Sequence, residues 1–525
     1  MSERRHKGYL IAAVVWLVLI GLLAVAYRLL VHPHVVDRLE KATSGTSQYR
    51  DEIVLALDSF SGYCLLRSEA LREDLKQQQI RLTLQDDQAD YVARLRSLKD
   101  GKSQLAAFTI DSLITSGAKA GDFPASIVLV LDETVGGDAI VAYQGGVKSL
   151  QDLGHPSARI VLTPNSPSEF LARVVLAHFN LPGLPDNWLV PAKDAADVLS
   201  QFRSASPSDR KAFVLWQPFV SRALQQKDAH VLLDSSRLRG YIVDVLVAQR
   251  QFLHDRPDLV RSFLEAYART AYRYSQQTND LVQLVKADAR QTGAETLDDS
   301  QAASIVNGIR WKNILENYAH FRLTGTTDPD DVASLEDMIA NITEVLVKTK
   351  ALSEDPLSGR HNTLYYDRPL GEMRAAQFHP AKGLNLVSGL GPDPALEPVR
   401  RDQAPTTLSP QQWQTLRPVG ELRTQPILFR RGLAEVSLDS ERDLQELARR
   451  LQAFPRFYVR VIGHARAEGD PEANRALAQA RAEAAVRQLV RQGLSPQRVR
   501  AETALPAAGG AEAQAVSFVV GQLPY

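Results

Sequence analysis

IVLALDSFSGY, Ile53 to Tyr63, is the stretch from which the fold is read. Ile53–Leu57 is a short apolar run with strand composition, and Asp58–Tyr63 is a polar, Ser/Gly-containing loop directly after it. A helix pattern follows through Leu75, then a second strand at Ile80–Leu84. A helix opens near Asp90 with Tyr91, Leu95 and Leu98 on one face, and Leu105–Ile110 is a third strand ending in Asp111-Ser112. This βαβαβ alternation predicts a largely parallel sheet covered by helices. Such sheets bind ligands at the carboxyl ends of their strands, where the Ser59–Tyr63 and Asp111-Ser112 loops both fall.

The pattern continues outward. Ser126–Leu131 and Ala139–Tyr143 read as strands bracketing Gly136-Gly137-Asp138. Arg159–Leu162 leads into TPNSPS, Thr163–Ser168, and a helix is expected from Glu169, with Ser166 or Ser168 as its cap and an anion site at its free N–H groups. Ala212–Leu215 is a further strand, closed by Trp216-Gln217-Pro218. Two α/β lobes with polar loops facing one cleft describe a hinged ligand-binding protein.

At these residues the chain resembles type II periplasmic substrate-binding proteins of the nitrate, sulfonate and taurine group. DSFSGY, TIDSL (Thr109–Leu113), GGDAIVA (Gly136–Ala142), TPNSPSEFL (Thr163–Leu171), VLWQPFVSRAL (Val214–Leu224) and the segment Val243–Thr270 carry the resemblance in order. It implies a small solute in the cleft. By position, the implied contacts are Ser59, Ser61, Gly62, Tyr63, Asp111, Ser112, Ser166, Ser168, Trp216 and Asp244. Each has a plainer reading: turn residues at Ser59 and Ser61, caps at Asp111 and Ser166, core packing at Trp216. Asp111 and Asp244 would repel an anion if ionised. They favour a ligand with an amine, or a role in holding the hinge and loops. Asp86, Asp87 and Asp90 read as a solvated face and helix start.

Asp280–Ala287, Ser300–Ala319 and Asp331–Thr349 carry apolar residues at helix spacing. GIRWKNILENYAHF, Gly308–Phe321, resembles the last helical part of a variant group of these receptors. From His379 to Gln425, Pro, Gly and Ser residues read as a linker. A new unit follows: strand Ile427–Phe429, amphipathic helix Leu438–Phe454, strand Phe457–Ile462, helix Glu472–Gly493, and last strands at Val499–Glu502 and Ala515–Val520. It resembles the OmpA-like domain, a small α/β sandwich that binds peptidoglycan, through VIGHARAEGDPEANRALAQARAEAAVRQLVRQGL, Val461–Leu494. The family grips diaminopimelate with an Asp and an Arg. Arg481 stands at the Arg position, with Asn474 nearby, but Arg466 replaces the Asp. A donor there opposes the ligand's amine, so wall binding is expected to be weak unless Glu468 or Asp470 substitutes.

Before all this stands YLIAAVVWLVLIGLLAVAY, Tyr9–Tyr27, uncharged and preceded by Arg4, Arg5 and Lys7. It is long enough to cross a bilayer, with the basic side held in the cytoplasm. A cleaved signal peptide ending at Ala24-Val25-Ala26 is the competing reading. The expected layout is a tail (1–8), a transmembrane helix (9–31), a juxtamembrane stretch (32–50), a solute-binding domain (51–378), a linker (379–425) and an OmpA-like domain (426–525). The location expected is an inner membrane, single-pass, with the bulk in the periplasm. Lys+Arg and Asp+Glu balance at 61 each, so no nucleic-acid surface is expected. The lone Cys64 excludes an intrachain disulfide and reads as a small buried hydrophobe. No P-loop, HExxH, GxSxG or paired-Cys motif occurs. No catalytic residue, cofactor or metal is expected. Expected partners are a solute, an ABC-type permease, and peptidoglycan or an envelope protein. The alternative is an envelope scaffold with a repurposed cleft, and third an enzyme acting on a small heterocycle.

Overall fold

The computed structural model describes residues 49–293, 296–324, 332–381, 397–400, 405–430, 432–465, 469–504 and 516–523. The run Tyr9–Tyr27 lies outside them, as do Arg466 and Glu468. Among the described residues no helix is long and apolar enough to cross a membrane. The chain divides into two compact units. The smaller comprises Met1–Ile53 and Arg72–Thr83; within it the Arg50 N–H donates to the Gln79 carbonyl at 2.8 Å and Thr83 Oγ1 to Glu52 Oε1 at 2.6 Å. The larger, Val54–Leu71 and Leu84–Tyr525, contains all that follows.

Its first lobe is a six-stranded sheet of order β11-β4-β10-β3-β1-β2. The strands are β1 (Asp51–Leu57), β2 (Ile80–Asp86), β3 (Leu105–Thr109), β4 (Ala125–Thr134), β10 (Val243–Gln249) and β11 (Ile309–Trp311). β1 and β3 are parallel, whereas β10 runs antiparallel between β3 and β4. β3 and β4 are buried along their whole length, as expected for strands covered on both faces. The second lobe is a five-stranded sheet of order β7-β6-β8-β5-β9. It comprises β5 (Asp138–Tyr143), β6 (Arg159–Leu162), β7 (Leu189–Pro191), β8 (Lys211–Trp216) and β9 (Ala229–Asp234). Its core includes Val141, Phe202, Phe213 and Leu215.

The chain crosses between lobes twice, from β4 to β5 and from β9 to β10. The crossings are tied together. Ser235 Oγ accepts from the N–H groups of Gly136 (2.8 Å) and Asp138 (3.2 Å), and the Thr134 N–H donates to the Ile242 carbonyl at 3.1 Å. Gly137 has no room for a side chain: a Cβ would sit 3.0 Å from the Gly308 carbonyl oxygen. That approach explains why Ser300–Ala319 is not one helix. The structure has a helix Asp299–Gly308, then β11 paired with β4, then a helix Ile314–His320 restarted by the Asn313–Glu316 capping box. Helical periodicity in the sequence cannot register a backbone approach from a distant strand.

The OmpA-like unit is a four-stranded sheet, β12-β15-β13-β14, comprising β12 (Arg417–Glu421), β13 (Tyr458–His464), β14 (Val499–Ala504) and β15 (Val516–Gln522). Helices Leu438–Gln452 and Pro471–Arg491 accompany it. Two expectations are corrected. Ile427–Phe429 is not a sheet strand: its only bridge is Phe429–Val436, and the Leu428 N–H donates to Ser440 Oγ at 2.8 Å, folding the segment against its own following helix. The edge strand is instead β12, inside the stretch read as linker. Its Pro and Gly suggest a loop, but an edge position tolerates both.

This unit is seated on the second lobe. Phe179 bridges Leu422, the Asn180 N–H donates to the Glu421 carbonyl (2.8 Å), and the Arg423 N–H donates to the His178 carbonyl (2.8 Å). Tyr241, His178, Phe454, Phe457 and Phe179 pack ring to ring across the junction. Burial drives the His178 imidazole down to about 3, so it is neutral, and its Nε2 pairs with the Tyr241 hydroxyl at 2.8 Å.

Candidate interlobe site

In the first lobe each strand edge facing the crossings carries an acid. Asp58 follows β1, Asp111 follows β3, Asp132 lies near the end of β4, and Asp244 opens β10. Asp138 opens β5 in the second lobe. Strand pairing sets Asp244 opposite Asp132. All five are buried.

Asp58 is compensated. The fully buried Arg94 guanidinium bonds it at 2.8 Å, bonds Asp87 at 2.5 Å, and also donates to the Ala107 carbonyl. Asp87 is therefore part of a buried pair rather than a solvated face. Asp90 does start the helix Tyr91–Lys99, accepting from the Ala93 N–H. Arg67 likewise holds Asp288 at 2.6 Å, and Lys312 holds Glu133 at 2.7 Å. The Lys312 charge, with the Gly240 N–H, overcomes desolvation and draws Glu133 down to about 2. A cavity of about 20 Å³, room for a single water, adjoins this pair between Gly240, Arg310, Lys312 and His320.

The other edge acids have no ion-pair partner. Asp132 and Asp244 are both pushed up, first by burial; Lys312 partly offsets this for Asp132, while the Asp132 charge adds to it for Asp244. Neither Asp132 oxygen meets a protein donor. One proton shared between the two carboxyls is the arrangement that two adjacent buried acids require. The Tyr63 hydroxyl donates to Asp244 Oδ1 at 2.5 Å. Burial raises Asp111 to about 6 and Asp138 to about 7, and the Asp111 charge adds to the rise at Asp138.

The sequence-predicted residues divide accordingly. Gly62, Tyr63 and Asp244 come together: a Cβ on Gly62 would sit 2.9 Å from Asp132 Oδ2, and its carbonyl accepts from the Trp311 indole N–H at 2.8 Å. Asp111 and Ser112 occupy not a loop but the first turn of the helix Ile110–Ala120, where a carboxylate suits the helix dipole. The Ser112 hydroxyl is taken by Thr109, at 2.8 Å from its carbonyl. The helix expected from Glu169 begins at Pro167. Ser166 does not cap it through its side chain, because its hydroxyl donates to the Thr163 carbonyl at 2.6 Å. Ser168 is fully buried and its hydroxyl has no partner. Ser59 is exposed and Ser61 half-buried. Trp216 is half-buried, edge-on to Phe219. A cavity of about 640 Å³ lies against the helix Ala195–Ser204, lined also by Phe219, Arg222 and Gln301, and holds none of these residues. Sequence reading missed Asp132 and Asp138. The signal was there, an acid closing the apolar run SIVLVLD and another opening DAIVAY.

The helix Leu335–Lys348 packs on both Ile110–Ala120 and Pro167–His178, one helix from each lobe. Arg173 and the Thr349 carbonyl (3.0 Å) hold its end, and Arg449 of the OmpA-like unit reaches its Asn341 at 2.8 Å.

In that unit, Arg481 donates through Nε to the Leu433 carbonyl at 3.1 Å and lies over the Phe429 ring. Asp470 caps the helix by accepting from the Glu472 N–H at 2.9 Å. Asn474 sits half-buried in that helix's first turn. His464 bonds Ser517 at 2.8 Å. Cys64 is free and buried.

The OmpA family matches residues 428–514, so β12 and β15 extend the sheet beyond the matched span. No curated protein matches the chain. Solved structures similar to it include the periplasmic aliphatic sulphonate binding protein SsuA from Escherichia coli: 16% identity, 60% of this chain, 92% of that one, TM-score 0.45. Another is the periplasmic nitrate-binding protein NrtA from Synechocystis PCC 6803: 12% identity, 63% and 90%, TM-score 0.44. A third is the Candida albicans CA3427 gene product, described as having the generic periplasmic binding protein fold: 11%, 60% and 96%, TM-score 0.46. The assignment to a two-lobed α/β fold of the periplasmic-binding type rests on the strand orders and the double crossing, and an OmpA domain closes the chain.

Proposed function

We propose that this chain is a membrane-anchored periplasmic solute-binding protein. It captures a small solute between its lobes, for an ABC-type permease or for sensing, and its OmpA-like domain faces the envelope. The observation that carries this reading is the set of buried, unpaired polar groups on both sides of the double crossing: Asp111, Asp132 and Asp244 in one lobe, Asp138 and Ser168 in the other. Burying such groups without partners is costly, and a bound solute between lobes supplies the missing partners. Binding, rather than catalysis, is the proposed activity: no activated nucleophile–base pair is assembled by these groups. Among the predicted contacts, Tyr63, Asp111, Ser168 and Asp244 are proposed as contacts, with Gly62 setting the turn. Ser59, Ser61, Ser112, Ser166 and Trp216 are assigned to turn, cap and packing roles. The test is mass spectrometry of small molecules released by denaturing the purified full chain. A stoichiometric solute supports the reading, and none in preparations from several growth media counts against it. A periplasmic reporter fused after Tyr525 tests the anchor.

A second reading, an envelope scaffold, is favoured by one feature. The OmpA-like unit is seated on the second lobe, and Arg481 is engaged by its own loop. Weak wall binding follows from this and from Arg466. Sedimentation of the full chain with purified sacculi tests it.

A further inference from the structure

We propose that the solute held between the lobes is an organic cation, an amine or amidine, rather than an oxyanion. This rests on the reading of the interlobe edge as the binding site. The argument starts from how this protein treats buried acids elsewhere. Asp58 has Arg94, Asp288 has Arg67, Glu133 has Lys312, and Glu316 has Arg310 at 2.8 Å. Asp111, Asp132, Asp138 and Asp244 have no such partner. They sit on the strand ends of the two opposed lobes rather than scattered through the core.

Two further observations point to a ligand. Asp111 Oδ1 is buried with no hydrogen-bond partner, and its charge is felt by Asp138 and Glu169, both in the opposite lobe. It therefore points across the divide. Ser168 Oγ, on the second lobe and fully buried, is also unpartnered. Aromatic rings complete the lining: Tyr63 reaches Asp244, Tyr91 feels Asp244 and Asp111, and Tyr267 feels Asp132 and Asp244. Carboxylates with aromatic rings are the surroundings that stabilise an ammonium. A sulfonate or nitrate in the same place would meet carboxyls with no counter-cation at hand. Among the described residues no three His, Cys, Asp or Glu stand at metal-binding spacing, which favours an organic cation over a metal ion.

The test is thermal unfolding of the full chain in detergent, with putrescine, agmatine, choline or benzamidine, and separately with ethanesulfonate or nitrate. At least one cation is expected to raise the midpoint by about 3 °C or more at saturating concentration. Asp111→Asn and Asp138→Asn should each cut that cation's affinity at least tenfold. Stabilisation by ethanesulfonate or nitrate alone would overturn the charge assignment and leave the solute-binding reading intact. A cation shift that persists undiminished in both variants would overturn the site. No shift from any cation would overturn the assignment.

Discussion

Two parts of the first lobe treat buried acids in opposite ways. On the side of β1 and the hinge, Asp58 and Asp87 share the Arg94 fork, and Glu133 sits on Lys312. At the edge facing the second lobe, Asp111, Asp132 and Asp244 are as deeply buried but have no cation. The first arrangement is structural: each charge is satisfied within the fold. The second is incomplete within the fold, and proteins accept such incompleteness where a ligand or proton completes it. The difference separates scaffold from site more sharply than burial, which is alike in both.

The comparison breaks most visibly at the compensated side. Lys312→Met leaves Glu133 charged and buried, and should cost about 3–5 kcal/mol in urea unfolding. Adding Glu133→Gln should return most of that loss. If the double variant is no more stable than the single one, the pair is not the reason for the loss. Arg94→Met strands Asp58 and Asp87 together and should cost a similar amount, about 3–5 kcal/mol. Tyr63→Phe removes a donor from Asp244 and should cost roughly 1–3 kcal/mol, growing as pH rises because the lost bond favours the ionised carboxylate. The half-exposed pair of Arg449 with Glu344 sets the lower limit of the scale: Arg449→Ala should cost less than about 1 kcal/mol, and still less in high salt.

Much of the scaffold was legible in the sequence because strand runs and amphipathic helices are local signals. β1, β3, β5, β8 and the helices around Leu444 and Ala482 stand close to where apolar periodicity puts them. What periodicity could not register is long-range. β11 exists because Gly308 lies against Gly137, and β12 because the Pro418–Gly420 region finds β15. Asp87 reads as solvated until Arg94 turns inward to meet it. The seating of the OmpA-like unit depends on His178, Tyr241 and Phe454, three residues with no sequence proximity. For the site, Tyr63, Asp111 and Asp244 were legible through the order of the strand-end motifs. Asp132 was not, because its role comes from strand register with Asp244.

The central claim is that the edge carboxyls are buried without compensation in the folded, unliganded chain. An acid whose pKa is raised on folding contributes stability at low pH and loses it as pH rises through its folded value. For Asp111 that loss is centred near about 6, and for Asp138 near about 7. Asp132 is raised in the same direction. The most direct measurement is urea unfolding of the ligand-free full chain and of its Asp132→Asn variant at pH 5 and at pH 8. Asparagine cannot ionise, so the variant should equal the wild type within about 0.5 kcal/mol at pH 5 and exceed it by on the order of 1–3 kcal/mol at pH 8. A variant less stable than the wild type at pH 8 would contradict the account, since it would mean that the Asp132 charge is already satisfied within the fold.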